Sequence, residues 1–276
     1  MKFTKMQGTG NDYILIQDFE RRVVRPAALA RRMCQQHFGV GADGLILILK
    51  SRRADFKMRI FNPDGSEAEM CGNGIRCLGK LVYERGLTRK KELTIETAAG
   101  IRTLRLLVRK GKVFRVEVNM GRPGLEREEI PILGQGSPVL AQRITALGKT
   151  FSATCLSMGN PHCVIFVKSL APFPVERFGP VIENLPIFPQ RTNVEFARVL
   201  NRGEVEVRIW ERGVGETLAC GTGTSAVAVA GVLTGRTDRK IHIHLLGGDL
   251  QVDFRADGCV YLAGPAKVVF QGQWPE

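Results

Sequence analysis

The pattern of apolar and polar positions predicts many short strands and few helices. Helical spacing is confined to residues 26–36, 75–85, 177–183 and 225–233. Apolar or alternating runs typical of strands occur at 13–16, 45–49, 56–61, 93–97, 102–109, 113–119, 163–167, 205–210, 241–245, 250–254, 260–262 and 268–271. Because helices do not alternate regularly with strands, a Rossmann sheet fits poorly. The pattern favours an α+β fold with mainly antiparallel sheet.

Two segments of the chain match one another at a constant offset of 149 residues. The strings MRIFNPDGSEAEMCGNG at 58–74 and VRIWERGVGETLACGTG at 207–223 align cysteine with cysteine and glycine with glycine. The same offset aligns Gly10-Asn11 with Gly159-Asn160. We therefore predict two homologous domains from an internal duplication, each a sheet wrapped around a central helix, with a boundary near residues 121–124.

The matched cysteines, Cys71 and Cys220, carry the strongest chemical signal. Each ends a turn and is followed by Gly-x-Gly and an apolar helix. Each is therefore expected at a helix N-terminus, where the helix dipole and the N–H groups favour a thiolate and can bind a carboxylate. If the two halves face each other, one thiolate abstracts a proton from a carbon and the opposite thiol donates one. Such a pair would invert a stereocentre.

The other cysteines and the histidines give weaker signals. Seven cysteines, an odd number, and no export signal argue against disulfides and predict a cytoplasmic protein. With no CxxC and four histidines, no metal site is expected. No cofactor motif is visible, since the glycines at 8 and 10 lack the third glycine of a dinucleotide site. Core or structural roles are predicted for Cys34, Cys77, Cys155, Cys163, Cys259, His242 and His244.

The net charge of +13 raises nucleic-acid binding as an alternative. The basic residues are scattered in pairs, with one triplet at 89–91, and aromatic residues, 7% of the chain, do not interleave with them. No apolar run approaches the roughly 18 residues of a membrane helix. We expect no nucleic-acid and no membrane partner. Salt-dependent retention on DNA, without exchange of amino-acid α-protons, would favour the nucleic-acid alternative.

Seven motifs in order along nearly the whole chain resemble those of the diaminopimelate epimerase family. They are GND at 10–12, FNPDGS at 61–66, MCGNGIRC at 70–77, MGNPHC at 158–163, RTN at 191–193, ERG at 211–213 and ACGTG at 219–223. The resemblance implies a two-domain fold with the active site in the cleft between the domains and a last strand that returns to the first. The implied domains are 1–120 plus 265–276 and 121–264.

The resemblance also implies the activity. It is that of a cofactor-independent, two-base epimerase that interconverts LL- and meso-diaminopimelate in lysine and peptidoglycan precursor biosynthesis. The implied partners are the amino diacid substrate and a second copy of the chain in a homodimer.

Individual roles follow from the resemblance. Cys71 and Cys220 are the implied acid–base pair, and His162 and Glu211 are expected to tune them. Arg212 offers a planar fork for the distal carboxylate of an amino diacid. The implied substrate-binding residues are Asn11, Asn62, Gly72, Asn73, Asn160, Asn193, Glu211, Arg212, Gly221 and Thr222.

Two positions depart from the family pattern. Gly44 stands where members often carry a glutamine that contributes to the substrate site, and Thr222 stands where serine is common. The nearest alternative function is a two-thiol racemase of the same fold that acts on proline or hydroxyproline. A small cyclic substrate has no distal group for Glu211 and Arg212 to bind, so those two residues favour the amino diacid.

Overall fold

The computed structural model describes residues 1–275 and contains two compact units. The first unit is Met1–Asn119 together with the described residues from Ala263 onward, and the second is Met120–Leu262. Within residues 1–275 these units contain eighteen strands and four helices. None of the four helices within residues 1–275 has the length and apolar composition needed to cross a membrane.

Along the chain the elements are β1 (Lys2–Gly8), β2 (Asn11–Gln17), α1 (Pro26–Cys34), β3 (Gly44–Leu49), β4 (Phe56–Phe61), β5 (Glu67–Ala68), α2 (Gly72–Glu84), β6 (Glu92–Thr97), β7 (Gly100–Arg109), β8 (Lys112–Gly121), β9 (Val139–Ala146), β10 (Lys149–Ser157), β11 (Pro161–Phe166), α3 (Val175–Glu183), β12 (Asn193–Asn201), β13 (Glu204–Glu211), β14 (Gly215–Thr217), α4 (Gly221–Leu233), β15 (Lys240–Leu245), β16 (Gly248–Phe254), β17 (Val260–Gly264) and β18 (Lys267–Gln273).

The sheet of the first unit has the neighbour order β18-β1-β2-β3-β4-β6-β7-β8. The pairs β2–β3 and β4–β6 are parallel and the others are antiparallel, while β5 pairs with the end of β4. Helix α2 lies against this sheet and buries the side chains of Ile75, Cys77, Leu78, Leu81 and Val82. Its apolar face thus supplies the centre of the unit.

The second unit repeats this arrangement with the neighbour order β9-β10-β11-β12-β13-β15-β16. Again two pairs, β11–β12 and β13–β15, are parallel, and β14 pairs with the end of β13. Helix α4 has the sequence GTGTSAVAVAGVL, and ten of its thirteen residues are buried. Small side chains on all faces let the sheet pack closely around this helix.

The helices of the two units coincide at the sequence offset. Helix α3 begins and ends 149 residues after α1, and α4 begins and ends 149 residues after α2. The parallel pairs also recur at corresponding strands. The predicted α+β fold, duplicated and with one central helix in each half, is therefore confirmed.

Some local predictions were wrong. Helices α2 and α4 begin at Gly72 and Gly221, three and four residues before the predicted starts, because glycines conceal the first turn. The strands β9, β10 and β12 were missed; β9, for example, places most of its polar residues in solvent and lacks a strong apolar run. Cys259, predicted to be a core residue, is only half-buried.

Candidate functional site

Cys71 lies at the start of the central helix of the first unit. It is the N-cap of α2, with extended backbone angles (φ −138°, ψ 119°), and its Sγ accepts a hydrogen bond from Gly74 N at 3.4 Å. The hydroxyl of Tyr13 on β2 lies 2.9 Å from the same sulfur. The thiol is half-buried. The expected helix N-terminus is thus confirmed for Cys71.

Cys220 occupies the same place in the second unit. It is the N-cap of α4, with almost the same backbone angles (φ −125°, ψ 122°), and it is buried. Its Sγ lies 3.3 Å from the hydroxyl of Thr222. Burial raises the pKa of the Cys220 thiol well above its ordinary value, and the nearby Glu211 carboxylate raises it further. These causes favour a protonated Cys220.

Glu211, at the end of β13, is hydrogen-bonded to the Cys220 side chain and accepts a hydrogen bond from the Thr217 hydroxyl at 2.6 Å. Burial raises the pKa of this carboxyl, while the bonds from Thr217 and Cys220 oppose that rise. The carboxylate can therefore hold the thiol proton of Cys220 in a fixed direction. Glu211 therefore lies in contact with the Cys220 side chain.

His162 lies within a buried polar chain on neighbouring strands. Its Nδ1 is 2.7 Å from Glu195 Oε1, and its Nε2 is 2.9 Å from Asn160 Oδ1. His162 and Glu195 are both fully buried. Both ring nitrogens of His162 thus have hydrogen-bond partners other than the Cys220 sulfur.

The candidate binding residues of the first unit form one cluster and one separate turn. Asn11 donates to Asp43 Oδ2 at 3.3 Å and accepts a hydrogen bond from Asn73 Nδ2, which connects β2 with the first turn of α2. Asn62 lies after β4, where its amide donates to Ser66 Oγ at 2.9 Å. The structure thus brings Asn11 and Asn73 together at the N-terminus that carries Cys71.

In the second unit, Asn193 and Arg212 are joined to one another. The Asn193 amide donates to Pro161 O at 2.8 Å, and its Oδ1 accepts a hydrogen bond from Arg212 N at 3.0 Å. The half-buried Arg212 guanidinium donates to Gln190 O at 2.9 Å. Asn193 is therefore a residue that holds the backbone of Arg212 in place, a role that the sequence did not predict.

The remaining predicted site residues are backbone positions in the first turns of the helices. Gly72 and Asn73 open α2, and Gly221 and Thr222 open α4. The N–H groups of a first turn have no acceptor within their helix, so they can receive an anionic group of a ligand. Within residues 1–275, no cluster of three or more His, Cys, Asp or Glu side chains is arranged to hold a metal ion.

Three residues near the cysteines were missed by sequence analysis: Tyr13, Glu195 and Arg76. The signal was available for the first two, since the offset of 149 aligns Tyr13 with His162 and Ile46 with Glu195. Where the offset aligns an apolar or aromatic residue of one copy with a histidine or glutamate of the other, the two halves differ in chemistry. Arg76 could not be found in this way, because a basic residue in a helix is ordinarily exposed.

This chain is similar over its length to known proteins of one family. A family model described as "Diaminopimelate epimerase" matches residues 3–126 and 154–269. The chain belongs to the diaminopimelate epimerase family. A relative named diaminopimelate epimerase from Moorella thermoacetica is 56% identical over 277 residues, covering 100% of this chain and 99% of the relative. One of the same name from Methanococcus maripaludis is 50% identical over 274 residues, covering 99% of each chain.

Solved structures of other proteins share the fold at low identity. A Bacillus anthracis phenazine biosynthesis protein of the PhzF family has a TM-score of 0.73 at 19% identity, covering 100% of this chain and 99% of that one. A hydroxyproline epimerase from Agrobacterium vitis has a TM-score of 0.72 at 16% identity, covering 99% and 90%. These likenesses concern the fold alone. Membership of the diaminopimelate epimerase family, predicted from the motifs, is confirmed by the family model and the close relatives.

Proposed function

We propose that this chain interconverts LL- and meso-diaminopimelate, with Cys71 and Cys220 as its two acid–base residues, in the synthesis of lysine and of peptidoglycan precursors. A relative that is 56% identical over the full chain carries the name of this epimerase. The observation that carries the mechanism is that each unit has a cysteine at the N-cap of its buried central helix. No cofactor is part of the proposal.

In the proposed reaction one cysteine is a thiolate and the other is a thiol. The thiolate removes the α-proton, so the C–H bond breaks, an S–H bond forms and the electron pair moves into the adjoining carboxylate. The other S–H then breaks, and its proton is delivered to the opposite side of the same carbon. First-turn N–H groups of α2 and α4 stabilise the enediolate-like charge. After one turnover the two sulfurs have exchanged protonation states.

The proposed substrate recognition depends on where the two units differ. The first unit carries Asn62 at a position where the second carries Glu211, followed by Arg212. We assign the distal carboxylate of the substrate to the Arg212 guanidinium, whose planar fork matches a carboxylate. Asn193 supports this role because it holds the Arg212 backbone.

The direct experiment is isotope incorporation. The reduced enzyme, incubated with LL-diaminopimelate in D2O, should give meso product that carries one deuterium at the inverted α-carbon. Cys71→Ala and Cys220→Ala should each abolish this epimerisation, whereas Cys259→Ala, outside the site, should retain it. Full activity in either of the first two variants would refute the two-base assignment.

A second comparison separates this function from the related racemases. The enzyme should not exchange the α-proton of proline or hydroxyproline. Arg212→Met should raise KM for diaminopimelate by about 10-fold to 100-fold, because a charged hydrogen-bond partner is lost. Efficient proline exchange, with no effect of Arg212→Met, would favour the racemase alternative.

The proposal includes a homodimer and a cytoplasmic location. Strand β18 exposes Val268, Val269 and Phe270 to 40%, 56% and 46%, an apolar strip suited to contact a second copy. All seven cysteines are free thiols, which fits a reducing compartment. Sedimentation of the parent protein and of Phe270→Lys tests the dimer: a parent that is monomeric at micromolar concentration would contradict it.

A further inference from the structure

Tyr13 and His162 occupy the same position in the two copies, yet they contact their cysteines differently. Tyr13 is 4% exposed and its hydroxyl lies 2.9 Å from Cys71 Sγ. In the second unit both ring nitrogens of His162 are directed at Glu195 and Asn160. Tyr13 on β2 therefore contacts its cysteine directly, whereas His162, at the matching position on β11, bonds to Glu195 and Asn160 instead.

Gly44 provides the space in which the Tyr13 ring lies. The two residues are register partners on the parallel strands β2 and β3. A Cβ at position 44 would lie 3.5 and 3.6 Å from Cδ1 and Cε1 of the Tyr13 ring, and 3.0 Å from Phe61 O. A longer side chain at this position would compete with the ring for the same volume. Family members often carry a glutamine at this position. The glycine found here thus leaves room for the Tyr13 ring.

The chemistry of the pair sets the direction of its hydrogen bond. A phenol is a stronger donor than a thiol, and a thiolate is a pure acceptor. Burial raises the pKa of the Tyr13 phenol well above its ordinary value, and the neighbouring Cys71 raises it further. The phenol therefore stays protonated at neutral pH and donates a hydrogen bond to the sulfur.

The other charged and titratable groups around the pair are Arg76 and Cys77 on α2 and Asp43 before β3. The fully buried Arg76 guanidinium donates to Thr9 Oγ1 at 2.6 Å, Gly72 O at 3.1 Å and Pro265 O at 3.3 Å. None of these acceptors carries a negative charge. A buried cation held by neutral acceptors makes the surroundings of Cys71 favourable for an anion, in contrast to Glu211 and Glu195 near Cys220.

We propose that Tyr13 is a positioning residue that donates a hydrogen bond to Cys71 Sγ and so makes Cys71 the thiolate of the resting pair. Cys220, beside two glutamate side chains, is then the thiol. This inference rests on the proposed function, since it assigns the resting protonation states of the proposed acid–base pair.

The test measures the Cys71 thiolate without turnover. Alkylation of Cys71 by iodoacetamide is followed by peptide mass spectrometry as a function of pH, in Cys220→Ala protein, so that Cys220 neither titrates nor reacts. Tyr13→Phe, which removes one oxygen, should slow the alkylation roughly tenfold near neutral pH and move its half-maximal rate upward by about one pH unit. Tyr83→Phe, on the far end of α2, is the matched control and should leave the profile unchanged.

A second measurement tests the same hydrogen bond in protein that keeps a phenol at position 13. Replacement of all tyrosines by 3-fluorotyrosine makes the phenol more acidic and a stronger donor, so the alkylation profile should move to lower pH; in Tyr13→Phe protein the same replacement should have no effect. The inference would be overturned if the alkylation rate of Cys71 near neutral pH changed by less than twofold in both experiments. Because alkylation needs no substrate, a protein that fails to epimerise but shows the Tyr13-dependent profile would refute the proposed function alone.

Discussion

The guanidinium of Arg208 donates two hydrogen bonds to the carboxylate of Glu216, at 2.6 and 2.8 Å. In the first unit Arg59 and Glu67 form the same pair, with both distances 2.7 Å. In each unit the acidic partner lies four residues before the cysteine. The duplicated ion pair therefore connects β4 with β5, and β13 with β14, the short strands that precede the two cysteines.

The two pairs should differ in strength because they differ in exposure. The Arg208 and Glu216 side chains are 23% and 13% exposed, against 36% and 37% for Arg59 and Glu67. In double-mutant cycles with Arg→Met and Glu→Gln, we expect a coupling of about 1 kcal/mol or more for Arg208–Glu216 and below about 1 kcal/mol for Arg59–Glu67. Urea unfolding with and without added salt measures both, and equal couplings would contradict the argument.

The fold was predictable to the extent that the duplication showed in the sequence. Matched strings gave both central helices and both cysteines, since apolar spacing and Gly-x-Gly survive in each copy. The strand β12 was missed because Glu195, within it, is buried while its last residues are exposed, so no alternation appears. Pairing with β11 and β13, which no local pattern records, places Glu195 in the interior.

The site was predictable in its residue types and less so in their connections. The motifs indicated Asn193 and Arg212 as separate substrate contacts, whereas the structure joins them by a hydrogen bond. The role of Tyr13 could not be read from sequence, because the distance from its hydroxyl to Cys71 depends on the packing of β2 against α2.

Glu211 gives a prediction on pH. Because burial raises the pKa of its carboxyl, the folded state binds this proton more tightly than the unfolded chain. The protonated carboxyl stabilises the folded state fully at pH values below the ordinary pKa of a glutamate. This stabilisation is lost as the pH rises through the higher pKa of Glu211 in the folded protein. Glu211→Gln should therefore gain stability relative to the parent as the pH rises from about 4 to 7. The same variant should lose about 10-fold to 100-fold in kcat/KM.

Urea unfolding at several pH values tests this sign, with Glu204→Gln as the control on the same strand. Glu204 accepts a hydrogen bond from Asn201 at 2.9 Å near the far end of β13. A Glu211→Gln variant that loses stability relative to the parent as the pH rises would refute the assignment.

The glycine three residues after Cys220 gives a packing prediction. A Cβ at Gly223 would lie 2.7 Å from Glu195 Oε1 and 3.3 Å from Ile209 Cδ1. Gly223→Ala should cost about 1–3 kcal/mol in spite of the better helix propensity of alanine, and should lower kcat because Cys220 shares this turn. Gly203→Ala is the control, since its nearest atom, Asn201 Oδ1, is 3.4 Å away. The control should change stability by less than about 0.5 kcal/mol.

The buried pair of His162 and Glu195 gives the largest expected loss of stability. Glu195 Oε2 is buried and has no hydrogen-bond partner within residues 1–275, so His162 compensates this carboxylate through Oε1 alone. His162→Ala should cost about 3 kcal/mol or more, because it removes the hydrogen-bond partner of a buried acidic side chain and leaves a cavity. The double variant His162→Ala/Glu195→Gln should recover part of that loss, since an amide is less costly to bury than a charge.

The measurement is urea unfolding of Trp274→Phe protein, in which the fluorescence of Trp210 reports on the second unit. The Trp210 indole donates to Glu183 Oε2 at 2.7 Å, so its emission should change when the unit opens. A double variant less stable than His162→Ala would contradict this explanation of the loss. Recovery would show instead that a buried negative charge is maintained close to Cys220, the condition under which this cysteine rests as the thiol.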